Sequence, residues 1–195
     1  MIPAIDVRHD LKRLSADLAL LPKETMAAAV RALNRTMITV RAEAARTLRV
    51  ELPRVKVSAL KARIKLQRAS RERPVAALTF SGRRFALYGN FGMRTLSGFG
   101  VRFSKLPWRI ETISGDTVTP EMLARAFRQR SRRGGRASVF ARHTKVRESF
   151  EILVAPGVAR AFAERGIGDA LVQVTRDRFA IVFQQEAKFT LSKRA

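Results

Sequence analysis

The sequence has no cysteine, one tryptophan, one tyrosine and two histidines, and only 16 acidic residues stand against 39 basic ones. Without cysteine there is no disulfide scaffold and no thiolate metal site, which fits assembly in a reducing compartment. His9 and His143 have no companions at ligand spacing, so a zinc site and a catalytic dyad are not expected and both read as surface residues. The acidic residues stand mostly beside basic ones, as Glu148 and Glu151 do near Arg147, and ion pairing is expected of them. No acidic cluster is spaced to hold metal for phosphoryl transfer. The chain is therefore expected to have no catalytic residues, no metal and no cofactor, and not to be an enzyme.

Long apolar runs are missing too. The segment from Phe179 to Phe183 is typical of the longest, and Asp6, Arg8 and Asp10 stand where a signal peptide needs apolar residues. Neither a membrane span nor a secretion signal is expected. The glycine-containing stretches lack the Gly-Lys-Ser/Thr ending of a phosphate-binding loop, which argues against nucleotide binding.

What the chain has is positive charge. Its 195 residues carry a formal net charge of +23, and since nine of the basic residues are Lys, thirty are Arg. Self-repulsion at that density favours counter-charged partners, and the planar guanidinium suits phosphate and carboxylate contacts. With 46% hydrophobic residues the chain can still bury a core.

The periodicity predicts an α+β fold: long N-terminal helices, a mostly antiparallel sheet with a projecting loop or hairpin, and C-terminal helices packed on the sheet. A short helix is expected from Asp6 to Leu20, broken at Pro22. A long one should run from Lys23 to Val50, its stripe made by Met26, Val30, Leu33, Met37, Val40, Ala44 and Leu48. Residues 1–56 thus form a helical region and 57–195 an α+β core, together treated as a single domain. A brief turn or helix spans Ser58 to Ala62. Ile64 and Leu66 then alternate with charged residues as a strand would. Val75 to Phe80 and Arg84 to Tyr88 read as a hairpin turning at Ser81 and Gly82. The Gly- and aromatic-containing stretch from Gly89 to Lys105 reads as a long loop or projecting hairpin. Trp108 to Ile113, Ser138 to Arg142 and Phe150 to Val154 are further strands. Pro156 opens a helix, and another runs from Gly168 to Leu191. The latter has two apolar patches, Leu171, Val174, Ile181 and Val182 on one side and Val172, Phe179 and Phe183 on the other. Either this helix is sandwiched between the sheet and the first helices, or one patch packs against a neighbouring subunit, for which Val172, Phe179 and Phe183 are the candidates.

Two basic clusters are candidate contacts for DNA or an acidic partner: Arg128, Arg130, Arg132, Arg133 and Arg136 in a loop, and Arg63, Lys65, Arg68, Arg71 and Arg73 at the first strand. No stacking aromatics interleave with these arginines, so non-specific contact is expected, without sequence or single-strand recognition. The segment Ser97 to Phe103 looks like the aromatic signature of RNA-recognition domains but lacks the leading basic residue, and reads instead as an aromatic-anchored loop that orders on assembly.

The order of these features resembles the tail completion protein Z (minor tail protein Z) family of lambda-type siphophages. The matching residues are Asn34 and Arg35 within Ala32 to Arg35, the strand entry Lys61 to Lys65, Arg142 ending Val139 to Arg142, Arg147 leading Arg147 to Ile152, and Pro156 within Val154 to Val158, with Ala161 and Phe162 beyond. The similarity runs from about residue 23 to 190; the segments Gly89 to Phe103 and Trp108 to Met122 are longer than the family pattern. The resemblance implies a structural virion protein assembled in the host cytoplasm, located at the neck or head-proximal end of the tail and acting in tail completion or head–tail joining. Implied partners are further copies of the chain in a hexameric ring, the tail terminator, tail tube or head–tail connector proteins, and phage DNA in the channel, with no membrane involved. The alternative class is a free, non-sequence-specific nucleic-acid-binding protein, which would share the charge without needing a ring.

Overall fold

The computed structural model describes residues 22–88, 91, 93–96, 100–130, 137–142 and 150–193. The helix expected over Asp6 to Leu20 lies outside the described residues, as do His9, His143, Gly89, Gly92, Gly98, Arg132, Arg133, Arg136 and Arg147 and the side chain of Arg130. The fold is α+β, with a long helix at each end and antiparallel sheets, one of them curled into a half-barrel. Two compact units are formed from discontinuous segments: residues 22–45, 64–80 and 165–193 make the first, 46–63 and 81–164 the second.

Helix α1 (Pro22–Glu51) follows the expected period, and its buried positions Leu33, Met37, Val40, Ala44 and Leu48 are stripe residues. Alanines complete that face: Ala28, Ala29, Ala32 and Ala45 are at most 1% exposed. Small side chains let a partner helix approach closely, whereas Met26, at the head of the expected stripe, is exposed. The partner in the first unit is α5 (Ile167–Ser192). It starts after Gly166, whose φ of 61° lies in the left-handed region that glycine enters at little cost. Phe179 and Phe183 stack on each other at 5.9 Å and pack with Ala28, Ala29, Ala32, Leu33 and Ala69.

The first unit also holds a hairpin of β1 (Ile64–Gln67) and β2 (Ala77–Phe80). Its register sets Ile64 opposite Phe80 and Leu66 opposite Leu78, so the apolar residues share one face and Lys65 and Thr79 the other. This corrects the expected hairpin at Ser81 and Gly82. β2 pairs backward with β1, while β3 (Phe85–Ala86) belongs to the other sheet and pairs with β9 (Phe150–Ala155). Ser81 does not turn the chain. Its N–H donates to Arg63 O, its carbonyl accepts from Ala159 N, and Gly82 lies against Gly157.

In the second unit α1 ends at Glu51, and Leu48, Leu52 and Val55 lead to the short helix α2 (Val57–Ala62), with Leu60 fully buried. The sheet is ordered β3-β9-β8-β7, with β7 (Phe127–Arg130), β8 (Ala137–Arg142) and a side strand β6 (Glu111–Thr112) on β9. Ala137, Val139, Ala141 and Leu153 are buried on its core side. Within the stretch read as a loop or hairpin, β4 (Met93–Thr95) and β5 (Val101–Phe103) pair antiparallel. Fully buried Phe91 anchors their base, accepting from Lys105 N. The helix α3 (Pro120–Ala124) is capped by Thr119, whose hydroxyl accepts from Met122 N at 3.3 Å, and has proline in its first turn. Helix α4 (Val158–Glu164) begins two residues after Pro156.

Candidate polyanion-contacting surface

The arginines divide into those committed to a carboxylate of this chain and those that are not. In the first unit Arg31 Nε and Arg35 Nη1 donate to opposite oxygens of Glu186 at 2.7 and 2.5 Å, and Arg31 Nη2 also donates to Thr190 Oγ1. Glu186 is 6% exposed. Its burial opposes ionisation, but the hydrogen bonds and charges of Arg31 and Arg35 outweigh that and hold its pKa below the ordinary carboxylate value.

In the second unit Glu111 is fully buried on β6 and faces three guanidiniums: Arg160 Nη1 at 2.7 Å, Arg109 Nε at 3.0 Å and Arg84 Nε at 3.7 Å. Among the described residues no donor is aligned for a hydrogen bond to its oxygens, so the attraction is Coulombic. Glu164 accepts from Arg160 Nε at 2.5 Å and lies 3.8 Å from Arg109. The hydrogen bond from Arg160 to Glu164 foremost, with the charges of Glu111 and Glu164, outweighs desolvation and raises the Arg160 pKa above its ordinary value. Arg84 also donates to the carbonyls of Thr112 and Ile113. Spacing alone could not reveal this cluster, because Arg84, the near neighbours Arg109 and Glu111, and Arg160 on α4 are brought together by the fold of the unit.

Of the expected contact residues, Arg63 is committed internally. Its guanidinium donates to the carbonyls of Arg83 and Arg84 and lies 3.9 Å from the centroid of the Phe85 ring. Burial, with Arg83 nearby, lowers its pKa. Its half-buried side chain is thus engaged within the unit. Lys65, Arg68, Arg71 and Arg73 are all exposed, and among the described residues none has a carboxylate partner. Lys65 is on β1 and the arginines are in the β1–β2 connection, residues 68–76. That connection is pinned by Asn34 on α1: Asn34 Nδ2 donates to Ala69 O at 3.0 Å, and Ala69 N donates to Asn34 Oδ1 at 2.8 Å. One side-chain amide thereby pairs both backbone groups of a loop residue, as a neighbouring strand would.

The second expected cluster is not wholly a loop. Arg128 and Arg130 lie in β7, paired with Val139 and Ala137, and Arg128 stacks over Tyr88 at 4.8 Å. Arg142, at the end of β8, lies over Phe127 at 5.6 Å. Of the interface candidates, Phe179 at 3% and Phe183 at 0% exposure belong to the core and cannot serve as free contact surface; Val172 is half-buried. The two expected patches on α5 resolve into one stripe, Ile167, Leu171, Thr175, Phe179 and Phe183, while Ile181 is exposed.

Among the described residues no group of three or more His, Cys, Asp or Glu side chains could hold a metal ion, and no helix is long and apolar enough to cross a membrane. The class these features define is an α+β protein in which Glu111, Glu164 and Glu186 pair with particular arginines inside each unit, while Lys65, Arg68, Arg71 and Arg73 are exposed. No family model, no curated protein and no solved structure matches the chain.

Proposed function

We propose that this protein is a structural component of the head-proximal end of a long non-contractile phage tail, a ring-forming tail completion or head–tail joining subunit around the DNA channel. The reading rests on the feature order shared with the tail completion protein Z family and acts through binding alone. The observation that carries it is the basic connection between β1 and β2: Arg68, Arg71 and Arg73, with Lys65 beside them, stand exposed on a segment fixed by Asn34 and outnumber its one acidic residue, Glu72. A fixed basic segment suits a phosphate backbone or an acidic adjoining ring, because its own ordering cost is already met within the fold. Asn34, one of the family-motif residues, then sets the position of that segment, and Arg35 supports it by tying α1 to Glu186. In this reading the subunit is a virion protein of the neck, a homo-oligomer contacting terminator, tube or connector proteins and, without sequence preference, DNA.

The test is production of phage particles carrying Arg68→Gln, Arg71→Gln and Arg73→Gln together. The subunit should remain folded while infectious titre falls. An undiminished titre removes the assignment of this segment, and an image reconstruction of the neck with no ring of this chain removes the whole reading.

A further inference from the structure

The outer face of the second unit's sheet has a chemistry that neither its charge nor its strand pattern requires. Directly opposed residues of antiparallel strands point to the same side. The register therefore puts Phe127, Phe140 and Ile152 in one row across β7, β8 and β9, with Gln129 and Ser138 in the row on one side and Arg142 and Phe150 on the other. The rings touch: Phe127 and Phe140 stack at 5.8 Å, and Phe150 meets Phe140 and Phe127 edge-on at 5.4 and 6.3 Å. Phe150 is 45% exposed, Phe127 and Phe140 are half-buried, and Arg142 and Gln129 are exposed. The opposite side holds the buried residues Ala137, Val139, Ala141 and Leu153. The solvated side of a half-buried antiparallel sheet is ordinarily polar; here it carries three phenylalanines.

The described positions of these three strands carry no acidic residue on this face, since the register pairs Glu151 with Ala141 on the other side; Glu111 of β6, opposite Val154, is on the same side but is fully buried and held by its arginines. Among the described residues of the three strands a partner here meets the rings, Ile152, a guanidinium and two neutral polar groups. An acidic protein loop would satisfy Arg142 and leave the rings unused. A duplex presents phosphates but keeps its base faces stacked inside. A single strand offers both phosphates and free π-faces, the combination that such surfaces bind.

We propose that this face is a stacking platform for single-stranded nucleic acid. Phe150 is the exposed ring on which a base stacks, Arg142 neutralises the adjoining phosphate, and Gln129 and Ser138 offer hydrogen bonds to base edges. The function is separate from the ring assignment and is read by a different measurement.

Fluorescence anisotropy of the full chain with a roughly 15-nucleotide oligothymidylate, and with a duplex of equal length, tests it. Phe150→Ala should weaken single-strand binding about tenfold or more, while Phe150→Trp retains or strengthens it. Arg142→Gln should weaken it too, and duplex binding should be unaffected by either change at Phe150. Phe150→Leu, which keeps apolar cover over the neighbouring rings, should bind as weakly as the alanine variant with an unchanged melting temperature. Equal single-strand affinity across the Ala, Leu and Trp variants overturns the proposal. So does displacement of the oligonucleotide by polyglutamate with the same dependence on Phe150, which would mark an acidic protein contact.

Discussion

Glu186 shows what a single residue can do in a chain this basic. Two arginines one helical turn apart on α1 converge on its carboxylate, so one acidic side chain on α5 pairs with two cations and fastens the helices of the first unit. Its folded-state pKa is depressed by Arg31 and Arg35 in spite of its burial. A depressed folded pKa means that the unfolded chain binds the proton more tightly. The contribution to stability is then full above the unfolded value of about 4.3 and is lost as pH falls through the lower folded value. Glu186→Gln should reduce unfolding free energy at neutral pH. The gap between wild type and variant should close as the solution is acidified past the ordinary carboxylate range. Urea denaturation of both proteins across that range measures this; a gap independent of pH would show that the pair acts through packing alone.

At the scale of elements, the junction between β9 and α4 packs Gly157 closely against neighbouring backbone. A Cβ added at Gly157 would lie 2.5 Å from the carbonyl oxygen of Gly82 and 2.8 Å from that of Arg83, both backbone atoms that cannot rotate away. Ala159 N also donates to Ser81 O there, so the two segments are held in register. Gly157→Ala should destabilise the protein by about 1–3 kcal/mol, the usual cost of overpacking, or more if the Ser81 bond is lost. Gly82→Ala, where a Cβ has nothing within 4 Å, is the matched control. Thermal melts of the two variants separate them.

This junction is also where the sequence reading failed. Ser81 and Gly82 look like a hairpin turn, but a dipeptide does not reveal that its neighbours are Gly157 and Arg63. The helices were legible because a long apolar period is local information: α1 and α5 lie within a residue or two of their expected limits. Which face of α5 packs was not legible. Its stripe passes through Thr175, a polar residue that becomes buried by donating to Leu171 O. The basic candidates split for the same reason. Lys65, Arg68, Arg71 and Arg73 could be read as exposed from their surroundings in the chain, whereas the commitment of Arg63 depends on the distant carbonyls of Arg83 and Arg84. The aromatic face went unseen because Phe127, Phe140 and Phe150 are separated by a dozen or so residues each and meet only across strands.

For the whole molecule, +23 is a net figure that conceals a division of labour. Glu111, Glu164 and Glu186 are bound to particular arginines inside the units, so they give little screening to cations elsewhere. The outward charge of the β1–β2 connection, reduced by one at Glu72, is therefore open to a polyanion. If Arg68, Arg71 and Arg73 each displace one counterion from duplex DNA, the slope of log affinity against log salt should flatten by about 0.9 per arginine replaced with Gln, roughly 2.7 for all three. Replacing Arg31, Arg84 or Arg160, each already paired to a carboxylate, should leave that slope unchanged while lowering the melting temperature. Titration of duplex binding by the full chain at several salt concentrations distinguishes the two sets. A slope that responds equally to both would mean that DNA senses only net charge, and the distinction between structural and contacting arginines would fall.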